Sequence, residues 1–421
     1  MKINIHQLAA GILVSAFSLQ PSALHAQGAL TPPGAPAPTM KSLQEIWDKI
    51  DMLETQNLDL RTRTTQLQSQ LTLLASTTAN LAWVISTVDS AGDVGQFTSL
   101  AFGPDGQPAI AYYDAGNGFL KIARYNGTIW SASTVDNAGN VGQYSSLAFG
   151  PDGQPAIAYY DVSLGNLKIA RFDGAVWTVS VVDNAANVGQ FASLVFGPDG
   201  QPGIAYYDAT TAHLKFARFD GAAWTTVVVD GVGNVGQYAS LKFGPDGQPA
   251  IAYYESAIKM LKFARFDGSI WTSSTVTGAI NVGQHASLAF GPDGQPAISC
   301  LEANSPAFMD IARFDGTAWT LTTAGRVFGS SASLFSSLAF GPDGQPAIAY
   351  ASTTGVGTTL ELVSARFNGS TWAISSVDTA GSVGRFGSQA FGPDGQPAIS
   401  YYDVTKGDLK FARKGVFRTS P

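Results

Sequence analysis

The chain reads as an all-β, seven-bladed β-propeller, closed by an N-terminal strand and preceded by an α-helical coiled coil. Three observations lead there. The heptapeptide FGPDGQP begins at Phe102, Phe149, Phe196, Phe243, Phe290, Phe340 and Phe391, spaced by 47 residues four times, then 50, then 51. A fixed period in this range marks a propeller or solenoid. Each unit holds four short β-like runs between turn residues, which is the make-up of one blade. A tryptophan opens the fourth run at Trp83, Trp130, Trp177, Trp224, Trp271, Trp319 and Trp372, so the series begins with a lone fourth run and ends with a first, second and third. Such permuted ends fit a closed ring, because pairing residues 83–88 with residues 409–413 removes two exposed edges at once. An open solenoid calls for capping repeats instead, and neither end reads as one.

Taken in order, the elements divide as follows. Residues 1–26 carry Lys2, an apolar run from Leu8 to Leu19, and small residues up to Ala26. This pattern reads as a secretory signal cut before Gln27. The run is about a dozen residues, short of the ~20 that a spanning helix needs, and no later segment is long and apolar enough to cross a bilayer. The expectation is an exported protein: secreted, periplasmic or bound at the cell surface. Residues 27–41 are rich in Pro and Ala and make a semi-extended spacer.

Residues 42–75 change the period to 3.5. Leu43, Ile50, Asn57, Thr64 and Leu71 fall seven apart, as do Ile46, Leu53, Leu60, Leu67 and Leu74, filling the a and d positions of a coiled coil. Lys49 at g and Glu54 at the following e attract between parallel helices, and Asn57 at a pairs with its own counterpart in register. The expected partner is a second or third copy of the chain, as dimer or trimer. The propeller then spans residues 83–413, and residues 414–421 form a C-terminal tail.

In the second repeat, residues 145–149, 155–160, 167–172 and 177–182 are read as strands a, b, c and d. Gly150-Pro151-Asp152-Gly153 supplies the restricted and positive φ values of a tight a-to-b reversal. Asp173-Gly174 turns c into d. Alanine at the positions of Ala156 and Ala158 lets adjacent blades approach, while Ile157, Tyr159 and the tryptophans fill the gaps. The c strands carry Arg124, Arg171, Arg218, Arg265, Arg313, Arg366 and Arg413. An arginine present in every blade points to a structural pairing near the Gly-Pro-Asp-Gly turn.

Composition excludes several functions. Charged residues make up 13% of the chain and the net charge is −7. A nucleic-acid partner asks for clustered Lys and Arg to displace phosphate counterions, and none is expected here. One cysteine, Cys300, rules out an internal disulfide framework or a Cys-based zinc cluster. No metal and no cofactor are called for. His213 and His285, the only histidines after residue 26, lie in different blades, and HExxH and GxSxG patterns are missing. No catalytic residues are assigned.

Candidate binding residues fall on the face shared by the d-to-a and b-to-c connections, where the repeats vary. Strand b ends in Asp114, Asp161, Asp208, Glu255, Glu302 and Asp403, read as a carboxylate ring. Gln96, Gln143, Gln190, Gln237, Gln284 and Arg385 come near the channel mouth, each followed by an aromatic ring such as Tyr144 or His285. Polar groups beside aromatic rings suit a sugar or peptide. The competing reading is that these Asp and Asn side chains cap their own turns. The opposite face, with its repeated Gly-Pro-Asp-Gly turns, reads as structural. The fifth and sixth blades deviate, the fifth through Cys300, Glu302 and Asp310.

Residues 83–413 resemble exported bacterial seven-bladed propellers built from 47-residue units of the type SLAFGPDGQPAIAYYD, LKIARFDG and a following Trp. That resemblance implies a binding or scaffold role and brings no established catalytic residues. Sialidases share the propeller form, but their Ser-x-Asp-x-Gly-x-x-Trp box has no match here. Integrin-type FG-GAP repeats are superficially similar to FGPDGQP, without the calcium loops. The expected function is a non-enzymatic propeller recognising a glycan or protein ligand. A glycosidase or polysaccharide lyase using carboxylates of the loop face, and a structural envelope component, are the alternatives.

Overall fold

The computed structural model describes residues 43–79, 81–328, 335–353 and 359–415. The signal segment, the spacer and residues 416–421 of the tail lie outside the described residues. The chain divides into two compact units, residues 1–74 and 75–421.

The N-terminal unit is an α-helix, Leu43–Ala79. Of the side chains assigned to its a/d seam, Leu53 and Leu60 are 53% and 60% exposed, and Asn57 is exposed as well. Ile50 is half-buried. The side chains of Leu43, Ile46, Leu67, Leu71 and Leu74 lie outside the described residues. No helix among the described residues is long and apolar enough to cross a membrane.

The second unit is the seven-bladed propeller. Seven four-stranded antiparallel sheets each run a-b-c-d in order, and the seventh takes its d strand, Trp83–Asp89, from the front of the domain. That strand zips onto Asp408–Lys414, with Trp83 opposite Lys414 and Asp89 opposite Leu409, so the ring is closed as the tryptophan spacing required.

Strand a begins four residues earlier than the alternating pattern indicated, at Val141 rather than Ser145 in the second blade. Its first part is bulged: pairing slips between Val141 and Gln143 and again between Gln143 and Ser146. Gly142 and Tyr144 both have positive φ there, 110° and 53°. The kink breaks the period-2 pattern that marks a strand. Gly142 also packs face-on against the preceding blade, where a Cβ would stand 2.8 Å from the Leu120 Cα.

Three bond sets recur seven times, two of them crossing from blade to blade. Around the axis, a serine of each strand a accepts a hydrogen bond from a backbone N–H of the next strand a, from Ser99 with Leu147 round to Ser388 with Leu100. On the Gly-Pro-Asp-Gly side, each c-strand arginine forms an ion pair with the turn aspartate of its own blade, as in Arg124–Asp105 at 2.8 Å and Arg313–Asp293 at 2.6 Å. The same guanidinium lies over the phenylalanine of the next blade, 4.8–5.7 Å from its ring centre, so the recurrent arginine joins turn and seam together. Between these bonds, Ala156 and Ala158 of one blade pack against Ile204 and Tyr206 of the next.

A fourth set is incomplete. At five of the seven seams, an aspartate ending strand d accepts hydrogen bonds from, or pairs with, a buried tyrosine and lysine of the following blade. The groups are Asp89–Tyr112–Lys121, Asp136–Tyr159–Lys168, Asp183–Tyr206–Lys215, Asp230–Tyr253–Lys262 and Asp378–Tyr401–Lys410. Burial by itself raises the pKa of Asp89, Asp183, Asp230 and Asp378, but the bonds from lysine and tyrosine outweigh it and hold all four below the usual carboxylate value. At the seam of blades four and five the three positions are Thr277, Cys300 and Asp310; at that of five and six they are Gly325, Tyr350 and Val363. Wherever the lysine is lost, the aspartate that would have faced it is lost too.

Candidate functional site

Seven rings close one end of the axial channel. Phe97, Tyr144, Phe191, Tyr238, His285, Phe335 and Phe386 form an unbroken circle with neighbouring ring centres 4.3–4.7 Å apart. A regular heptagon with that side puts each centre roughly 5 Å from the axis, and neighbouring rings are tilted 43–58° to one another. The channel is thereby narrowed to a shallow depression of about 160 Å³. Burial, with Tyr238 and Tyr160 nearby, pushes Tyr144 up to about 12.

Of the residues proposed to bind here, Tyr144 and His285 are members of this circle. Gln96, Gln143, Gln190, Gln237 and Arg385 each precede one of its rings and are half-buried. Gln96 donates to Asp93 and Gln190 to Asn187, so both tie down their own loops.

The strand-b carboxylates are sealed beneath the loops. Asp114, Asp161, Asp208 and Asp403 are at most 3% exposed and Glu255 is 7% exposed. Asp114 accepts from the Asn117 N–H, Asp161 from Leu164, Asp208 from Thr210 and Thr211, and Asp403 from Thr405 and Lys406. Each therefore caps its own b-to-c turn. Asp161 also pairs with Lys168 at 2.8 Å, and Glu255 with Lys262 at 3.3 Å. They form a buried structural ring rather than an open one. No cluster of His, Cys, Asp or Glu able to hold a metal occurs among the described residues.

Glu302 is the exception, half-buried and accepting from the Asn304 side chain at 2.6 Å. It neighbours Asp310, which is 1% exposed and whose Oδ1 makes no hydrogen bond. Burial, then the Glu302 charge, push Asp310 up to about 7, although Thr323 donates to it. Asp310 stands where five other blades carry a lysine, so a carboxyl is buried here in place of a cation. Burial, with Asp310 and Glu302 close by, also pushes Cys300 above the normal thiol range.

Larger concavities than this depression lie on the other face, at the seams between blades. One of about 540 Å³ separates blades three and four and is lined by Phe216, Arg218, Phe243, Gln248, Ser269 and Trp271, among others. Equivalent clefts of about 360 and 330 Å³ stand at Trp319 with Gln295 and Arg265, and at Trp177 with Gln154 and Arg124. All three fall within the roughly 300–1,000 Å³ of small-molecule sites. The parts recur because the repeat recurs. Trp271 follows the c-to-d turn and packs edge-on against Phe216 and at a tilt against Phe266, with ring centres 5.3 and 5.4 Å away. Arg218 is fixed by Asp199 and by the Gln201 carbonyl. The Gln248 side-chain amide has no partner among the described residues. An aromatic wall, a fixed guanidinium and a free amide are thus set side by side.

These cleft residues were not picked out from the sequence as binding groups. The signal was present in the repeated Trp, Arg and Gln. Near-identity between blades points to structure, but a site repeated at each seam is near-identical too.

No protein-family model matches the chain, and no curated protein matches it. Solved structures do. An ulvan lyase of polysaccharide lyase family PL25 superposes with a TM-score of 0.54 at 13% identity, over 78% of this chain and 96% of that one. A protein of unknown function from Dyadobacter fermentans gives 0.51 at 12% identity, over 70% and 98%. The SapL1 lectin, solved with α-methyl fucoside, gives 0.46 at 14% identity, over 69% and 99%. At these identities the likeness to the first two shows the propeller fold alone.

Proposed function

We propose that this protein is a non-enzymatic, multivalent carbohydrate-binding propeller, exported and displayed as a dimer or trimer on its N-terminal coiled coil. The observation that carries this reading is the repetition of one cleft at several seams, each joining a Trp wall to an anchored Arg and a Gln. Sugar rings present C–H faces that stack on aromatic side chains and hydroxyls that exchange hydrogen bonds with amides and guanidinium groups. One such site binds weakly. Several on one propeller, and several propellers on one stalk, raise the effective concentration of each next contact by orders of magnitude.

The neighbouring carboxyls Glu302 and Asp310 speak against the glycosidase or lyase alternative, because Asp310 is sealed from substrate. Paired acids of a glycosidase must both reach the scissile bond.

A glycan array probed with the full oligomer tests the reading. Binding that is lost in the triple variant Trp177→Ala, Trp271→Ala, Trp319→Ala, with the circular dichroism of the fold retained, is the expected result. An array blank for the folded oligomer, or release of new reducing or unsaturated sugar ends from a bound polysaccharide, overturns it.

A further inference from the structure

The seven innermost strands, which encircle the axis, carry no acidic residue among the described residues and two charged side chains, both cationic: Lys242 and Arg385. In a chain of net charge −7 this leaves the axis electropositive. Lys242 occupies a position that is Ala101, Ala148, Val195, Ala289, Ala339 and Ala390 in the other blades. Five alanines and a valine show that the fold itself requires no lysine there.

The surroundings of Lys242 are unusual. Its side chain is solvent-exposed, while Leu241 beside it is fully buried. Burial nevertheless lowers the pKa of its amine. An exposed side chain on an innermost strand, with the protein of the ring around it, faces the axis. The five c-strand lysines, by contrast, are all paired with carboxylates. Lys242 makes no ion pair or hydrogen bond among the described residues.

The aromatic circle lies four residues up the same strand at Tyr238, about 13 Å away at strand rise, and nearly closes that end. Lys242 adjoins Phe243 and the Gly244–Gly247 turn, so the open approach is from the Gly-Pro-Asp-Gly face. A cation without a carboxylate partner, set inside the ring of blades, attracts oppositely charged ligands there.

We infer that the axial channel is a single oxyanion-binding site, separate from the seam clefts, in which Lys242 holds a carboxylate, sulfate or phosphate group entering from the Gly-Pro-Asp-Gly face. The ligand class is a free small anion or the charged end of an acidic saccharide. Neutral sugars are not ligands for it.

The test is isothermal titration of the full chain with sodium sulfate, sodium phosphate and sodium glucuronate at matched ionic strength, chloride being the reference. Lys242→Ala restores the residue that five sister blades carry, so loss of folding is not expected, and melting in chloride verifies it. The expected result is one site per chain, weakened at least tenfold in Lys242→Ala, largely retained in Lys242→Arg, and unaffected by Trp271→Ala. Preference for glucuronate assigns a sugar carboxylate; preference for sulfate or phosphate assigns a tetrahedral anion. Equal binding by wild type and Lys242→Ala, or no binding of any of the three anions, overturns the inference. Because the site is scored with Trp271 removed, its failure and that of the seam clefts are read separately.

Discussion

Replacing Asp310 with Asn should flatten the pH dependence of stability between about pH 4 and pH 7. In the folded protein this carboxyl is buried, lacks the lysine found at five other seams, and is held protonated up to about pH 7 rather than near its usual 3.8. A folded-state pKa raised above the unfolded value means that the native state binds the proton more tightly. The associated stability is fully present below pH ~4, is lost as pH rises through about 7, and stays lost above it. A shift of about three units is worth about 4 kcal/mol at ~1.36 kcal/mol per unit, and roughly half that once the proton is shared with Glu302 and water relaxes the site.

Asn keeps the shape and cannot ionise. Urea denaturation of wild type and Asp310→Asn at pH 5 and pH 8 should therefore give a difference in unfolding free energy that grows by about 1.4 kcal/mol toward pH 8, in favour of the variant, since about two units of the window lie above pH 5. Wild type also has an acid limb, because Asp89, Asp183, Asp230 and Asp378 have lowered pKa values and their stabilising contribution disappears as pH falls through them. That limb is common to both proteins and cancels in the difference. Parallel profiles for the two proteins would refute the reasoning.

Other perturbations test the seams and the stalk. Lys215→Met removes the cation from Asp183, both groups being at most 9% exposed, and should cost about 3 kcal/mol in chemical denaturation, since a buried charge is left with only the Tyr206 hydroxyl and the Ala185 N–H. Gly142→Ala drives a Cβ to 2.8 Å from the Leu120 backbone at φ 110° and should lower Tm by several degrees. A Tm within a degree of wild type would show that the seam yields there. Under the proposed coiled-coil assembly, Leu53→Asp with Leu60→Asp should give a monomer in light scattering with the propeller's melting unchanged; a persistent oligomer, or a wild type already monomeric, would refute that assembly.

Much of the ring was legible in sequence because its signals repeat. Tryptophan spacing fixed the permuted closure of residues 83–89 on the last blade, and the seven c-strand arginines foretold a pairing at the turns. Signals that cross a repeat boundary were harder to see. The lysine of one blade answers the aspartate of the blade before it, so Asp183 and Lys215 look unrelated within any single repeat. Period-2 reading missed the start of strand a because Gly142 and Tyr144, at positive φ, turn the chain out of alternation. The strand-b carboxylates looked like a displayed ring because spacing shows that residues share a rim, while burial beneath loops such as 115–118 is a tertiary fact. Cleft residues were hidden by the opposite error, since identity between blades was read as structural need.

The claim on which the account depends is that the seams between blades are the sugar sites. Titration of wild type with a monovalent saccharide taken from the array should give more than one site per chain, and Trp271→Ala should lower that number by one without changing the affinity of the rest. A single site per chain, or a count untouched by Trp271→Ala, would contradict it.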